Sequence, residues 1–129
     1  MRYFSIKEFT RSATADRLKI DNSLPPELLD AATYTLQRLD GIREGYGKPI
    51  VITSGYRCQA LNKAVGGKPN SQHQKAQAAD LKWDNELLAY LLQHAHFDQL
   101  IEESSKRTKW LHISFLPTGE RNMYLRLRV

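Results

Sequence analysis

The sequence predicts a single α+β domain over residues 1–129: helices first, then a small antiparallel sheet flanked by helices. Three observations carry this. Leu28, Leu29, Ala32, Leu36, Leu39, Ile42 and Tyr46 recur at helical spacing. From residue 50 onward the apolar runs are short and β-branched or alternating, as strands are. One helical run after Asp84 interrupts them, an order that suits α+β architecture better than a βαβ series. A length of 129 residues fits one domain, and there is no repeat, low-complexity tract or linker.

Each element has its own signal. Ser5 followed by Glu8 reads as a capping box opening a short helix to about Arg11. Residues 12–23 are polar and read as irregular. Pro25-Pro26-Glu27 opens the long helix, and Gly45-Tyr46-Gly47-Lys48-Pro49 stops it. Ile50 to Ser54 is a compact β-branched strand, and Arg57 to Ala64 a short helix. Gly66 to Asn70 is turn-rich. Ala79 to Trp83 is the next strand, and Asp84 caps a helix through Leu87, Leu88, Leu91 and Leu92. Asp98 to Glu102 and Trp110 to Phe115 are two further strands joined by the charged loop Ser104 to Lys109. In Arg121 to Arg128, Met123, Leu125 and Leu127 share one face, as in an edge strand.

Composition narrows the function classes. A hydrophobic content of 41% can build a core, and no apolar run approaches the roughly 20 residues of a membrane span. The first residues lack the apolar core of a signal peptide, so synthesis without Sec export is expected, with release to the cell wall by a holin-type or other route. The lone cysteine, Cys58, excludes an internal disulfide and reads as a structural thiol at a helix start. A net charge of +5 favours polyanionic surroundings, but no basic stretch with interleaved aromatics marks a nucleic-acid site. A monomer is expected.

Three residues stand out chemically. His73 and Asp80 lie seven positions apart, Asp80 in a predicted strand. His112 sits in Trp110-Leu111-His112-Ile113-Ser114-Phe115, where Trp110, His112 and Ser114 alternate with the core-facing set. Two histidines and one carboxylate form a three-ligand set for catalytic zinc, with a fourth position left for water. The spacing alone is not diagnostic. It equally suits surface polar groups and a half-buried sheet histidine bonded to a neighbour.

The motifs decide between these readings by resemblance. Ser71, His73, Ala76, Ala78 and Asp80 resemble Ser-x-His-x-x-Gly-x-Ala-x-Asp of the M15 family of zinc peptidases, with Ala76 where that pattern has glycine. Trp110-Leu111-His112 resembles its second signature, Trp-x-His. Ile52 to Arg57 and Leu61 to Gly67 extend the likeness over nearly the whole chain, closest to the small phage- and prophage-type branch.

The resemblance implies the Hedgehog/DD-peptidase fold, Zn2+ held by His73, Asp80 and His112, and peptidoglycan stem peptides as substrate. It implies that Arg57 polarises the scissile carbonyl and that Ser71 lines the substrate cleft. Many relatives carry an acid three residues before the last zinc histidine, where this chain has Lys109. The base then falls to the preceding strand end, to Glu103, as in the resembling branch, or to its neighbour Glu102. The bond cut is a terminal D-alanine or one within the stem. The other reading is a non-catalytic wall-binding or structural domain with a retained zinc site.

Overall fold

In the computed structural model, which describes residues 2–129, two short helices and one long one precede the first strand of a five-stranded sheet. Helix α1 is Ile6–Thr10, capped by Ser5, whose hydroxyl accepts from the Glu8 amide. Helix α2, Ala13–Leu18, occupies the stretch expected to be irregular. Ser12 caps it and the left-handed Lys19 closes it, but it buries only Ala15, so it leaves no apolar periodicity to read. A 3-10 turn, Pro26–Leu28, leads into α3, Leu29–Tyr46, which ends at Gly47 with φ +78°.

The strands are β1 (Ile52–Ser54), β2 (Ala78–Lys82), β3 (Gln99–Ser104), β4 (Lys109–Ser114) and β5 (Met123–Arg128). Helix α4, Gln59–Ala64, follows β1, and α5, Asn85–His94, follows β2. Asp84 caps α5, its carboxylate accepting from the Glu86 amide at 2.8 Å.

The sheet order is β1-β2-β4-β3-β5. The first three pairings are antiparallel, but β5 runs parallel to β3, so the sheet is mixed at one edge. The direction follows from the connection. Strand β4 ends at Ser114 beside Gln99, the start of β3, and residues 115–122 lead to Met123 beside that same Gln99.

One sheet face is the core. Ala79, Leu81, Leu100, Leu111 and Ile113 join Leu36 and Leu39 of α3 and Leu87 and Leu91 of α5 in one apolar cluster. The opposite face carries Asp80, Ile101, Glu103, Trp110 and His112, as the two-residue period requires. Leu125 and Leu127 also point there rather than into the core, while Tyr124 packs on the core side. The shared face read for β5 is therefore a cleft wall.

Ala76 shows what the motif glycine is for. It closes the 3-10 turn Gln72–Lys75 with φ +58°, in the left-handed region, and is fully buried. Alanine there carries strain of about 1–2 kcal/mol, while its buried methyl returns about 0.8 kcal/mol. Ala76→Gly should therefore shift stability in urea unfolding by less than about 1 kcal/mol. Ala76→Val, β-branched and larger, should destabilise by at least about 2 kcal/mol. A valine variant as stable as the parent would contradict the left-handed assignment.

Candidate metal centre

Strand register builds two thirds of the site. Asp80 in β2 and His112 in β4 are direct cross-strand partners, so their side chains leave the same face side by side. Asp80 Oδ1 lies 3.2 Å from His112 Nδ1. The third member comes from a loop. Ser71 caps the 3-10 turn, its hydroxyl accepting from the His73 amide at 3.2 Å. Ala76 then turns the chain into β2, so that His73 Nε2 comes within 3.2 Å of the same Asp80 Oδ1. One ligand atom from each residue lies within 4.8 Å of the others, and all three residues are buried. Among the described residues, no fourth His, Cys, Asp or Glu joins them.

The surroundings fix the chemical state of His73. Its Nδ1 donates to the Gly55 carbonyl at 2.7 Å, and a carbonyl can only accept. Nδ1 therefore carries a proton, and the lone pair of the neutral ring is on Nε2, facing a carboxylate oxygen. Two lone pairs at 3.2 Å need a cation between or on them, either a proton or a metal ion. Two imidazole nitrogens and one carboxylate oxygen, buried and convergent, fit zinc and match an open, three-ligand site.

Gly55 is required here. A Cβ on it would lie 2.2 Å from the Phe9 carbonyl oxygen. Its neighbour Tyr56 donates its amide to that same oxygen at 2.8 Å, holding the loop against α1.

Arg57 secures the other side of Asp80. Its Nη2 donates to Oδ2 at 3.1 Å, Nε to the Ser54 hydroxyl at 3.1 Å, and Nη1 to Asn62 Oδ1 at 3.3 Å. Asn62 in turn donates to the Lys68 carbonyl at 2.9 Å. Burial pushes the Asp80 carboxyl up, but the charge of His73 and the hydrogen bonds of His112 and His73 outweigh it. The group sits well below the usual carboxylate range.

The histidines lie on the floor of a cleft of about 1260 Å³. Arg57, Ser71, Glu103 and Trp110 line it as well. The two candidate acids separate as neighbours on a strand must. Glu103 lies in the cleft beside Trp110, its partner in register. Glu102 lies on the opposite face and pairs with Arg126 Nε at 3.0 Å. The expected strand stopped at Glu102, but β3 continues to Ser104 and so contains both. Lys109 is directed away, its ammonium 4.0 Å above the Trp83 ring. Cys58 caps α4, its sulfur accepting from the Leu61 amide at 3.4 Å.

Sequence reasoning missed Gln72, Asp98 and Arg121. Asp98 is fully buried and accepts from Gln72 Nε2 at 2.9 Å and from Arg121 Nε and Nη2 at 2.9 and 2.6 Å. An acid set between apolar Phe97 and the apolar pair Leu100-Ile101, at the start of a strand, was the available signal.

The fold and the site define a class, an α+β domain with a buried His-Asp-His cluster, able to hold a metal ion, on a cleft floor. The chain belongs to the M15 peptidase family, whose model matches residues 2–114. It is also similar to the zinc D-Ala-D-Ala carboxypeptidase of Streptomyces albus G, with 41% identity over 51 residues. That stretch is 39% of this chain and 20% of the relative, so the likeness covers about a fifth of that protein. Among the described residues, no helix is long and apolar enough to cross a membrane.

The site can be tested without any assay of activity. Metal-free protein titrated with zinc should bind about one equivalent and gain several degrees of melting temperature, because only the folded state holds the three donors together. His112→Ala should abolish both effects. A zinc-dependent rise that survives in His112→Ala would contradict this centre.

Proposed function

We propose that this domain is a zinc-dependent peptidase that hydrolyses peptide bonds in peptidoglycan stem peptides. The observation that carries the reading is the buried His73, Asp80 and His112 set on the floor of a cleft that also presents Glu103. The M15 membership and the named activity of the Streptomyces relative support the substrate class.

His73, Asp80 and His112 would hold the metal. Zinc bound there would supply Lewis-acid polarisation of the acyl carbonyl and acidify water. The rest falls to this chain's own residues. Glu103 is the general base. Its carboxylate makes no ion pair among the described residues, which leaves it free to accept a proton from the attacking water. As the water oxygen bonds to the carbonyl carbon and the C–N bond breaks, that proton passes from Glu103 to the leaving amine. Glu102, tied to Arg126 on the other face, is out of reach.

Arg57 has two tasks. It holds Asp80 Oδ2, which orients the carboxylate so that Oδ1 is turned to the histidines. One of its five N–H groups meets Asp80 and two more meet Ser54 and Asn62, so the remaining two serve the developing oxyanion from the cleft wall. Ser71 binds substrate from the rim. Its oxygen caps the His73 turn as acceptor, which leaves the hydroxyl proton to donate.

Defined stem peptides, followed by mass spectrometry of the products, test the reading. Zinc-loaded protein should cut them, and a chelator should stop it. Glu103→Gln should keep the zinc and lose about 100- to 10,000-fold in turnover, the usual range for a lost general base. Glu102→Gln should stay near the parent rate. Arg57→Lys should lower turnover more than metal content, since lysine cannot reproduce the planar fork. Undiminished hydrolysis by Glu103→Gln would remove Glu103 from the mechanism. No hydrolysis by fully metallated protein would favour a non-catalytic wall-binding module.

A further inference from the structure

The cleft has a second polar centre, away from the metal donors. Asp98 lies fully buried just before β3, with both oxygens occupied. The hydrogen bonds of Arg121, outweighing burial, hold its carboxyl at about 2, so it stays ionised. It grips Arg121 by the backbone amide, by Nε and by Nη2. The guanidinium is thereby fixed, yet the Arg121 side chain remains 50% exposed and lines the cleft. Its Nη1 has no partner among the described residues, so both Nη1 N–H groups and the second one on Nη2 are left to the cleft.

The charge of the cleft points the same way. Of the basic side chains lining it, Arg57 and Arg121 are paired with Asp80 and Asp98, which leaves Lys68, Lys75 and Arg128 against the single unpaired carboxylate of Glu103. Lys68, Lys75 and Arg128 make no ion pair among the described residues. A cleft with this balance attracts acidic ligands. The site also has a position relative to the metal donors. Ile101 is the register partner of His112, and Asp98 lies three residues before it, about 10 Å along the strand at 3.3 Å per residue. A carboxylate on the scissile residue itself would lie only about one residue, 3.3–3.6 Å, from the bond cut. Arg121 also lies beyond residues 2–114, so the family match does not account for it.

We infer that Arg121 anchors a free carboxylate carried by a neighbour of the scissile residue, rather than by the scissile residue itself. The inference rests on the peptidase reading above and names a specificity-determining residue for that cleft. Gln72 and Asp98 are positioning residues, since they hold Arg121 and do not themselves meet the ligand.

The test is a matched pair of C-terminally blocked stem peptides that differ only in whether the flanking carboxylate is free or amidated. The zinc-loaded parent should prefer the free acid by about tenfold or more in kcat/KM, the scale of one charge-assisted hydrogen bond, with most of the difference in KM. Arg121→Gln should bring that ratio to within about twofold of unity. Because both peptides are read on the same preparation, partial unfolding of the variant cancels from the ratio. Should the glutamine variant not fold, Arg121→Lys is read the same way and should keep only part of the preference.

Equal cleavage of the two peptides by the parent would overturn the anchor and leave the peptidase reading standing. A preference unchanged in either variant would also overturn it, and would make Arg121 a lock on the 115–122 loop. Cleavage of neither peptide would remove the peptidase reading and the anchor with it.

Discussion

A buried, ionised carboxylate organises this molecule. Taking Asp80 out of water would be costly if it stood alone. The fold instead surrounds it with His73 and His112 on one oxygen and Arg57 on the other. Each partner arrives by a different route: a 3-10 turn, an antiparallel register and the loop after β1. Much of the local architecture serves those routes. The cap at Ser71, the left-handed Ala76 and the close approach of Gly55 to Phe9 bring His73 into place. The β2–β4 register brings His112.

The two sheet faces divide the remaining labour. On one, α3 and α5 bury leucine, isoleucine and phenylalanine, a packing that fixes the strands rigidly. The other is left to the cleft. Polar side chains pointing from a rigid sheet hold their geometry better than the same groups on mobile loops. The same division places Glu103 in the cleft and Glu102 outside it, with no further device than the alternation of a strand.

Much of this was legible in the sequence. The α3 periodicity, the Asp84 cap and the β-branched runs marked their elements to within a few residues. His73, Asp80 and His112 were picked out by motif, and they do converge. What escaped has physical reasons. Helix α2 rests on a cap and one buried alanine, too little for a pattern. The parallel pairing of β5 is set by where a loop delivers the chain, which no local propensity encodes. The apolar residues of β5 showed that a face existed but not which face, because alternation does not say where the core lies. The positive cleft was invisible for a similar reason: Lys68, Lys75, Arg121 and Arg128 are scattered in sequence and gathered only by the fold. Asp98 and Arg121 are 23 residues apart and belong to no motif quoted above.

The proposed chemistry depends on the buried carboxylate and two imidazoles holding the metal. X-ray absorption spectroscopy of the protein loaded with one equivalent of zinc tests it most directly. A first shell of nitrogen and oxygen only, at about 2.0–2.1 Å, with the outer-shell scattering of two imidazoles, is the expected result. The two-imidazole signal should fall to one in His73→Ala. A sulfur shell near 2.3 Å, which would implicate Cys58, or an unchanged spectrum in the variant, would contradict the centre described here.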